Sequence, residues 1–497
     1  MILSEIEYDV VIVGAGVVGC AIARELVAAG AVVCVIEKGS DVAQGTSCRN
    51  SGVVHAGFNS PAGSLQADLC VAGNRKFEAM CQTLAVPYKK TGKLVVGFDE
   101  QDLTALRGLL AVGETNGCPD LSIVGEDFIR RQIPECKGVY ALFSPHTAVV
   151  SPYGLTIALA ENALVNGAVF LLGQEVTGIH KRDEDSAFIV QTDKSTVSCR
   201  VLVNAAGLFA DKISAMAGDT SYRIYPCRGE YYVLDKRVGD RLSMPVYPVP
   251  RQGDGGLGVH LTPTVDGNVL IGPSADYIEQ KENNATTGAV LRGLAAEASS
   301  LLPGISEKDF IRVYAGVRPK LTAPGQGGYA SFVIGESEIV AGLINLIGIE
   351  SPGLTSTPVI AERVSNIVKG HLDLHKKTDF DPARLPIIKF FDLDDEQQAA
   401  LIARNPDWGE VICRCEKITR YEILQALNNP LGVRTFKGIK YRARATMGRC
   451  QGGYCTAKLT AILQNDFGLA PQEITLSGEG SGLFAGMTRE VKDIDCH

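Results

Sequence analysis

The sequence has no long hydrophobic run and no surplus of basic charge. Its most apolar stretch, Ile339–Ile349, is too short to span a bilayer and is followed at once by Glu350 and Pro352. The 48 Lys and Arg residues stand against 56 Asp and Glu residues, a formal net charge of -8, which gives no general affinity for nucleic acid or an anionic membrane. We therefore expect no direct membrane span, no nucleic-acid partner and a small-molecule substrate.

We also expect neither a secretion signal nor a disulfide framework. The chain starts directly into a strand pattern, and several of its 14 cysteines are scattered through apolar stretches. These features predict a protein of the reducing cytoplasm. With 497 residues, 45% of them hydrophobic, and 54 glycines, the chain is long enough for two or three domains with full cores.

A glycine-rich turn lies near the N-terminus. The apolar run Tyr8–Val13 enters the G-x-G-x-x-G pattern of Gly14, Gly16 and Gly19, and a helical pattern and a second strand ending in Glu37 follow. The glycines of such a βαβ unit permit a tight turn, the approach of a pyrophosphate to the helix N-terminus and close helix packing. Glu37 is expected to bind a ribose 2′-hydroxyl and to repel a 2′-phosphate, which favours FAD or NAD over NADP.

Two further segments favour FAD over NAD. Residues 45–52 follow the ribose acid, and the glycine-rich segment 348–356 precedes a second helical pattern. The second segment could place backbone amides and the positive end of a helix near the flavin edge that becomes negative on reduction, although an ordinary helix-entry turn explains it equally well. The predicted cofactor-binding residues are Gly14, Gly16, Gly19, Glu37, Lys38, Thr46, Ser47, Asn50, Ser51, Gly52, Val176, Ala206, Gly207, Ser351, Pro352, Gly353, Leu354 and Thr355.

Four cysteines are closely spaced near the C-terminus. Cys413 and Cys415 form a C-x-C pair, and Cys450 and Cys455 form a C-x-x-x-x-C pair. Thiolates packed this closely repel one another, so two such pairs brought together by folding predict a cage for iron or zinc, with these four residues as ligands. The spacing departs from the usual C-x-x-C zinc knuckles and favours an iron–sulfur centre, with zinc as the alternative.

The residues around these cysteines support a metal centre. Thr419, with Glu422 three residues later, predicts a capping box and therefore a helix that starts just after the first pair, which places Cys413 and Cys415 on the loop before that helix. Gly448, Gly452 and Gly453 allow backbone N–H groups to point at cluster sulfides and stabilise their negative charge.

Several motifs together resemble the D-amino-acid-oxidase superfamily of flavoproteins, and more narrowly the L-2-hydroxyglutarate dehydrogenase family. The matching stretches are residues 50–57, 61–65, 72–75, 204–208, 228–232 and 257–262. The cysteine segment 413–455 resembles the [2Fe-2S] domain of bacterioferritin-associated ferredoxin, which is also appended to the flavin subunit of anaerobic glycerol-3-phosphate dehydrogenases. One departure is Phe58-Asn59-Ser60, which stands where the 2-hydroxyglutarate enzymes are expected to carry an aromatic pair.

The resemblance implies an FAD-dependent dehydrogenase that oxidises a small anionic hydroxy compound. The substrate would be an L-2-hydroxyglutarate-like 2-hydroxy acid or sn-glycerol 3-phosphate, and electrons would leave through a [2Fe-2S] cluster to a second flavoprotein or another acceptor subunit. An amino-acid or amine dehydrogenase of the same fold and a non-catalytic electron-transfer module are the alternatives.

Alcohol oxidation at a flavin needs a base for the hydroxyl proton and a cation for the anionic end of the substrate. His260 and Arg318 are the candidates for these two roles. His260 lies in the matching segment 257–262, and Arg318 lies in the segment 314–320, which resembles a substrate-domain segment of both families and supplies a guanidinium that suits carboxylate or phosphate. His55, Arg228 and Lys320 are candidates for substrate binding. His55 is also the alternative base, and Arg228 could equally brace the domain junction.

Together these features predict an α/β protein. A Rossmann-like FAD-binding domain is interleaved with a substrate domain built on an antiparallel sheet, since alternating runs mark residues 226–318, and a small, mainly helical [2Fe-2S] domain follows. The predicted segments are 1–80, 145–225 and 330–370 for the FAD domain, 81–144 and 226–329 for the substrate domain, 371–408 for a linker, 409–470 for the [2Fe-2S] domain and 471–497 for a tail.

Overall fold

A computed structural model describes residues 7–250, 258–326, 328 and 330–486. The chain divides into two compact units, the first comprising Met1–Glu37 and Val42–Arg384 and the second comprising Lys38–Asp41 and Leu385–His497. Leu257 of the predicted motif 257–262 and residues 487–497 of the predicted tail lie outside the described residues.

The strands are short and are distributed along the whole chain. They are β1 (Tyr8–Val13), β2 (Val33–Glu37), β3 (Val53–Val54), β4 (Tyr88–Lys90), β5 (Lys93–Gly97), β6 (Ser122–Gly125), β7 (Tyr140–Ser144), β8 (Ala148–Val150), β9 (Val169–Leu172), β10 (Val176–Lys181), β11 (Phe188–Thr192), β12 (Thr196–Asn204), β13 (Tyr225–Leu234), β14 (Val246–Pro248), β15 (His260–Pro263), β16 (Val269–Gly272), β17 (Asp276–Tyr277), β18 (Phe310–Lys320), β19 (Val333–Glu336), β20 (Leu343–Ile347), β21 (Val411–Cys413) and β22 (Ile418–Thr419).

The α-helices alternate with these strands. They are α1 (Val17–Ala28), α2 (Leu65–Thr83), α3 (Glu100–Thr115), α4 (Glu126–Gln132), α5 (Pro152–Val165), α6 (Ala210–Met216), α7 (Gly288–Leu301), α8 (Gly353–Lys369), α9 (Asp395–Arg404), α10 (Arg420–Leu427), α11 (Phe436–Ala443) and α12 (Thr456–Asn465). Within the described ranges, none of these helices is long and apolar enough to cross a membrane.

The first sheet of the first unit is built around β1. Its strand order is β10-β11-β12-β1-β2-β9, with β20 on β12 and β19 on β20. β1 pairs in parallel with β2 and β12, and its residues Val10, Val11 and Ile12 are fully buried, as expected for a parallel strand covered on both faces. Helix α1 packs against α5 and α8, and α2 packs against α8. The predicted Rossmann-like domain is confirmed.

The second sheet of the first unit carries the candidate substrate residues. Its order is β17-β13-β16-β15-β14-β5-β7-β6, with β18 on β13. The predicted antiparallel pairing holds for its neighbouring strands except β14 and β5, which run in parallel with Val246 opposite Leu94. These two strands are not joined by a hairpin, so the connection does not fix their relative direction.

The second unit is small and mainly helical, as predicted. Its core includes Ile412, Ile423 and Leu459 from the β21 hairpin and from α10 and α12. The predicted capping box is present, because Thr419 and Glu422 bond reciprocally at the start of α10. The described part of the predicted tail, residues 471–486, contributes Ile474 to this core, where its side chain is fully buried. The helix α9 lies within the segment predicted as a linker.

Candidate active site and cysteine centre

The glycine turn between β1 and α1 leaves no room for side chains. Gly14 has a φ of +107°, and a Cβ at this position would lie 2.6 Å from the carbonyl oxygen of Ala205. A Cβ on Gly19 would lie 2.0 Å from the carbonyl oxygen of Gly14, so this glycine allows α1 to approach the turn closely. Gly16 is the N-cap of α1 and brings no side chain. The turn therefore fits the backbone cradle that a dinucleotide pyrophosphate requires.

Glu37 ends β2 beside this turn. Its carboxylate accepts the backbone N–H of Ala15 at 2.8 Å, which fixes its orientation next to the glycines. Lys38 follows it directly in the chain. The position suits the predicted contact with a ribose, because the two ends of an adenosine diphosphate group meet the turn and the acid of the next strand.

The segment 45–52 is tied to both sheets by its own side chains. Ser47 Oγ accepts the N–H of Val17 at 2.9 Å at the start of α1, and Thr46 donates to the carbonyl oxygen of Val317 in β18 at 2.8 Å. Asn50 donates to the Thr46 and Ser47 carbonyls at 3.2 and 3.0 Å and accepts the N–H of Gly52 at 2.9 Å. The predicted cofactor residues of this segment are thus held together in one folded loop.

The other predicted residues at this edge come from β12 and β10. Ala206 and Gly207 follow β12, where Ala205 donates its N–H to the Val13 carbonyl at 3.0 Å, so they lie at the glycine turn. Gly207 has a φ of +56°. Val176 is buried at the start of β10, in the same apolar cluster as Val13.

His55 is brought to the start of α8. Its N–H donates to Thr355 Oγ1 at 2.9 Å, its carbonyl accepts from Asn74 Nδ2 at 3.0 Å, and its Nε2 lies 3.4 Å from Ser351 Oγ. Helix α8 begins at Gly353, between Pro352 and Leu354. The structure therefore joins the predicted segment 351–355 to the predicted substrate residue His55.

A pocket opens at this junction. Its lining residues come from the loop after β3, from the start of α2 and from the residues just before α8. They are His55, Gly57, Asn59, Ser60, Pro61, Gln66, Cys70, Ser351 and Pro352. Burial holds the pKa of His55 well below its ordinary value, and Lys93 and His260 lower it further. The pocket therefore presents a neutral imidazole, the form that can accept a proton.

His260 lies on the second sheet rather than in the pocket lining. Its ring stacks on Tyr247 with a centroid distance of 3.8 Å and an interplanar angle of 8°, and its Nδ1 lies 3.0 Å from the Gly258 carbonyl oxygen. Burial lowers the pKa of His260 to about 3, and the charges of Lys93 and Arg318 act in the same direction. His260 is therefore also neutral at physiological pH.

Lys93 is the site residue that sequence reasoning missed. It is fully buried at the start of β5, and its Nζ has no hydrogen-bond partner among the described residues. The ammonium lies 4.0 Å from the ring centroid of Tyr247 and 4.5 Å from that of Phe58. Burial lowers its pKa to about 7. The only signal in the sequence is a lysine at the head of an apolar strand, which is a common pattern at strand ends.

Arg318 and Lys320 lie on the last strand of this sheet. Arg318 Nη2 donates to the Ser274 carbonyl at 3.0 Å, and its Nη1 lies 3.6 Å from the sulfur of Cys227, its partner in the ladder. Lys320 is buried and pairs with Glu350, with its Nζ 3.1 Å from Oε2. Burial raises the pKa of Glu350, and the charge of Lys320 opposes that rise.

Arg228 is separated from the other candidates. It follows Cys227 in β13, so its side chain lies on the opposite face of the sheet from the Cys227–Arg318 pair. There it forms an ion pair with Glu230 at 3.1 Å and donates to Asn283 at 3.3 Å. The structure thus gathers His55, His260 and Arg318 but not Arg228.

The four predicted cluster cysteines form two pairs in the second unit. Cys413 and Cys455 are buried and hydrogen-bonded to each other. Cys415 and Cys450 are exposed and are also hydrogen-bonded to each other, and all four are free thiols. Cys413 is the last residue of β21, so it does not lie on a loop as the sequence predicted. Among the described residues, no three His, Cys, Asp or Glu side chains converge on a single ion position. Two pairs match a two-iron cluster, in which each iron takes two thiolates.

The cysteine loops are shaped for close approach. A Cβ on Gly448 would lie 2.4 Å from the Cβ of Cys415, and the non-glycine residues Lys417, Thr446 and Gln451 have φ values of +54°, +72° and +47°. Positive φ values at residues other than glycine are uncommon, and they occur preferentially at functional sites.

Backbone amides stabilise negative sulfur in these loops. The Cys455 thiol lowers the pKa of Cys413, and the backbone N–H groups of Thr446 and Glu416 lower it further. The backbone N–H of Tyr454 lowers the pKa of Cys450, and that of Gly452 acts in the same direction. The donors suit the thiolate ligands of an iron–sulfur cluster.

Comparison with known proteins agrees with both centres. The profile of the FAD dependent oxidoreductase family (DAO) matches residues 9–367, and that of the BFD-like [2Fe-2S] binding domain matches residues 411–465. A glycerol 3-phosphate dehydrogenase of Caloramator mitchellensis is 38% identical over 97% of this chain and 99% of its own length. A mitochondrial L-2-hydroxyglutarate dehydrogenase of Nematostella vectensis is 31% identical over 72% of this chain and 90% of its own length.

A solved structure shares the fold of most of this chain. The dithionite-reduced L-alpha-glycerophosphate oxidase from Mycoplasma pneumoniae with FAD bound has a TM-score of 0.71 and 28% identity, covering 77% of this chain and 99% of its own. Fold and site thus define a flavoprotein oxidoreductase with a second, iron–sulfur redox centre. The chain belongs to the FAD dependent oxidoreductase (DAO) family, its cofactors are FAD and a [2Fe-2S] cluster, and it is homologous to dehydrogenases that act on CH–OH donors.

Proposed function

We propose that this protein is a dehydrogenase that oxidises a small anionic hydroxy compound, with sn-glycerol 3-phosphate as the first candidate substrate and L-2-hydroxyglutarate as the second. The observation that carries the proposal is the meeting of neutral imidazoles and cationic side chains beside one pocket at the start of α8. His55 lines this pocket, and the charges of Lys93 and Arg318 act on the imidazole of His260. Such a site favours an anion and offers a base for a hydroxyl proton.

We assign the proton acceptor to His55, with His260 as the alternative. His55 lines the pocket and its backbone is fixed by Thr355 and Asn74, whereas His260 is buried behind it against Tyr247. Arg318 would bind the anionic end of the substrate, since its planar guanidinium can form two parallel hydrogen bonds to a phosphate or carboxylate. FAD supplies the hydride acceptor when bound.

The residues proposed to hold FAD surround the glycine turn and the pocket. Gly14, Gly16 and Gly19 would cradle the pyrophosphate, Glu37 the ribose, and the segments 45–52 and 351–355 the flavin end. The close packing around Gly14 and Gly19, which leaves no room for a Cβ at either position, supports this assignment. Because the turn carries no side chains there, a pyrophosphate can approach its backbone directly.

Two features favour glycerol 3-phosphate over 2-hydroxyglutarate. The glycerol 3-phosphate dehydrogenase of Caloramator mitchellensis aligns with nearly the whole chain, through the cysteine domain, at the higher identity. Asn59 and Ser60, at the departure from the 2-hydroxyglutarate family, line the pocket and offer hydrogen bonds in place of an aromatic pair.

Electrons would leave through the cluster held by Cys413, Cys415, Cys450 and Cys455 to an acceptor subunit in the cytoplasm. The exposure of Cys415 and Cys450 supports this route, because an acceptor must approach one iron closely.

Cys413→Ser or Cys450→Ser should abolish the visible absorption of the cluster while flavin stays bound and reducible, with Cys136→Ser as the control. Flavin loss in both cluster variants would contradict separate centres.

The substrate is tested by anaerobic titration of the purified protein, following the flavin absorption band. The panel contains sn-glycerol 3-phosphate, L-2-hydroxyglutarate, lactate and malate, with glycerol as the control that lacks the anion. Bleaching by glycerol 3-phosphate but not by glycerol is expected. Bleaching by proline, glycine or sarcosine alone would assign the amino-acid dehydrogenase alternative, and bleaching only by a protein donor would assign an electron-transfer module.

A further inference from the structure

Lys93 combines full burial with a charge that no acceptor neutralises. Its Nζ has no hydrogen-bond partner in the described part of the chain, and it lies between the rings of Phe58 and Tyr247. An ion-paired lysine exerts little field beyond its partner, whereas an unpaired one acts on every nearby group in the low-dielectric interior. The amine also contributes no hydrogen bond within the described part of the fold, and a buried polar group that breaks the rule of satisfied hydrogen bonding is expected mainly at functional sites.

The register of the second sheet places Lys93 beside the candidate bases. Lys93 lies two residues before Val95, which pairs with Tyr247, so these side chains share one face of the sheet. Tyr247 in turn stacks on His260. His55 approaches from the loop after β3: it stands three residues before Phe58, whose ring centroid lies 4.5 Å from the Lys93 ammonium, and its carbonyl accepts from Cys70 Sγ at 3.5 Å. The charge of Lys93 lowers the pKa of both imidazoles.

Within the described residues, few titratable groups face Lys93 from the elements packed around it. They are Cys70 from α2, Tyr247 from β14, and the two imidazoles, with Arg318 of β18 acting on His260. None of these is a carboxylate. The cluster therefore holds three basic groups, and protonation of one of them disfavours protonation of the other two.

We propose that Lys93 is a positioning residue for proton removal: its buried ammonium, which has no hydrogen-bond acceptor among the described residues and lies against the ring of Tyr247 that stacks on His260, disfavours protonation of the two imidazoles, so that His55 can accept the proton of the substrate hydroxyl. This inference rests on the proposed function. The hydroxyl oxygen would give its proton to the His55 imidazole, and the carbon that bears this oxygen would give up its hydride, for which FAD supplies the acceptor when bound. The resulting imidazolium faces the ammonium of Lys93, so the proton is driven on towards solvent.

The order of protonation follows from the two environments. Lys93, with a pKa of about 7, is charged in the range below neutrality in which an ordinary histidine would also gain a proton. Its charge lowers the pKa of both imidazoles in that range. Flavin reduction should therefore keep its rate well below the ordinary histidine pKa of about 6.5.

The test compares Lys93→Met with Lys93→Arg in the FAD-loaded full chain. Stopped-flow flavin reduction is measured under anaerobic conditions at saturating sn-glycerol 3-phosphate between pH 5 and pH 9. In Lys93→Met the acid limb of the rate profile, normalised to the plateau rate of each variant, should move up by about one pH unit, because one of the charges that oppose imidazole protonation is removed. Lys93→Arg should keep the acid limb of the parent.

A second readout does not need turnover. Carbon-13 labelled histidine is titrated by NMR in the FAD-loaded parent and in Lys93→Met, with His55→Asn used to assign the His55 signal. The His55 signal should titrate at a higher pH in Lys93→Met than in the parent. An unchanged histidine titration together with a rate loss at every pH would show a purely structural role and overturn the inference.

The two proposals fail in different ways. If no hydroxy compound bleaches the flavin, the proposed function fails, and the histidine titration still decides the role of Lys93. Should Lys93→Met not fold, Lys93→Gln provides a neutral side chain of similar reach for both measurements, and an unshifted His55 titration in it would equally overturn the inference.

Discussion

The second sheet of the first unit contains two buried lysines, one with a carboxylate partner and one without a hydrogen-bond partner among the described residues. Lys320 in β18 faces Glu350 at 3.1 Å, and both side chains are almost inaccessible. Lys93 in β5 is equally buried, yet it faces aromatic rings and has no acceptor among the described residues. The charge of Lys320 is compensated by a carboxylate, whereas the charge of Lys93 acts on the groups around it.

The difference shows what burial alone does not reveal. A buried pair is self-contained, and removing one partner harms the structure because the other charge is left without compensation. A buried unpaired amine lowers stability from the start, so removing it should relieve the protein. Measurements of the free energy of unfolding can therefore distinguish the two lysines. For the first unit, this quantity is followed by the denaturant concentration at which half of the flavin is released.

The largest expected effect is that of Lys320→Met. The substitution leaves Glu350 buried without its cation, which should lower the free energy of unfolding by about 3–5 kcal/mol. Urea-induced flavin release at pH 7 measures the loss. Lys320→Met combined with Glu350→Gln should recover part of it, and equal losses in the single and double variants would show that the pair is not coupled.

The pH dependence of Lys320→Met should sharpen the same point. Burial raises the pKa of Glu350, and without Lys320 only the charge of Arg318 still opposes that rise. Since a raised acid pKa means that the folded state binds the proton more tightly, the variant should regain stability as pH falls from 7 to 5. A deficit that stays constant over this range would contradict an ionised Glu350 at neutral pH.

Lys93→Met should act in the opposite direction. Replacing an unpartnered amine by an apolar chain of similar length should raise the free energy of unfolding at pH 7 by on the order of 1–3 kcal/mol. The folded pKa of Lys93, about 7, is below its unfolded value, so the unfolded state binds the proton more tightly and the parent should gain stability from pH 7 to pH 10. Lys93→Met should show a smaller gain over this range, and a loss of stability at pH 7 would indicate a hidden partner.

The smallest effect is expected from Phe58→Leu. Phe58 lies 4.5 Å from the ammonium of Lys93, and a cation–π contact contributes about 0.5–1 kcal/mol to the charged form. Removing the ring should lower the Lys93 pKa by roughly half a unit. The pH at which stability begins to rise should fall accordingly, and Leu106→Ala, in the same apolar cluster, serves as the control for lost packing alone.

Local chemistry in the sequence predicted much of this molecule. The positions of Gly14 and Gly19 are fixed by backbone clashes that a motif records directly, and the Thr419–Glu422 capping box acts over three residues. The pairing of β14 with β5 and the burial of Ile474 depend on distant partners and were not predictable. The same holds for the site: a histidine can be singled out by its scarcity, but which histidine lines the pocket is set by tertiary packing.

Lys93 is the clearest case of this limit. Its sequence context is an ordinary strand end, and its significance lies in the absence of a hydrogen-bond partner within the described residues. A missing partner is a property of all surrounding elements together. Arg228 shows the converse, since its motif is shared with the flavoprotein family but the pleat of β13 places it on the far face.

The interleaving of the two sheets has a consequence for synthesis on the ribosome. β1 pairs Tyr8 with Cys199 in β12, and β12 pairs Leu202 with Leu343 in β20. The central sheet therefore cannot close until the chain has been translated past β20, and its early strands wait with unpaired edges, a state prone to aggregation. The helices of the cysteine unit contact one another over short sequence separations, so that region can acquire its structure soon after it emerges.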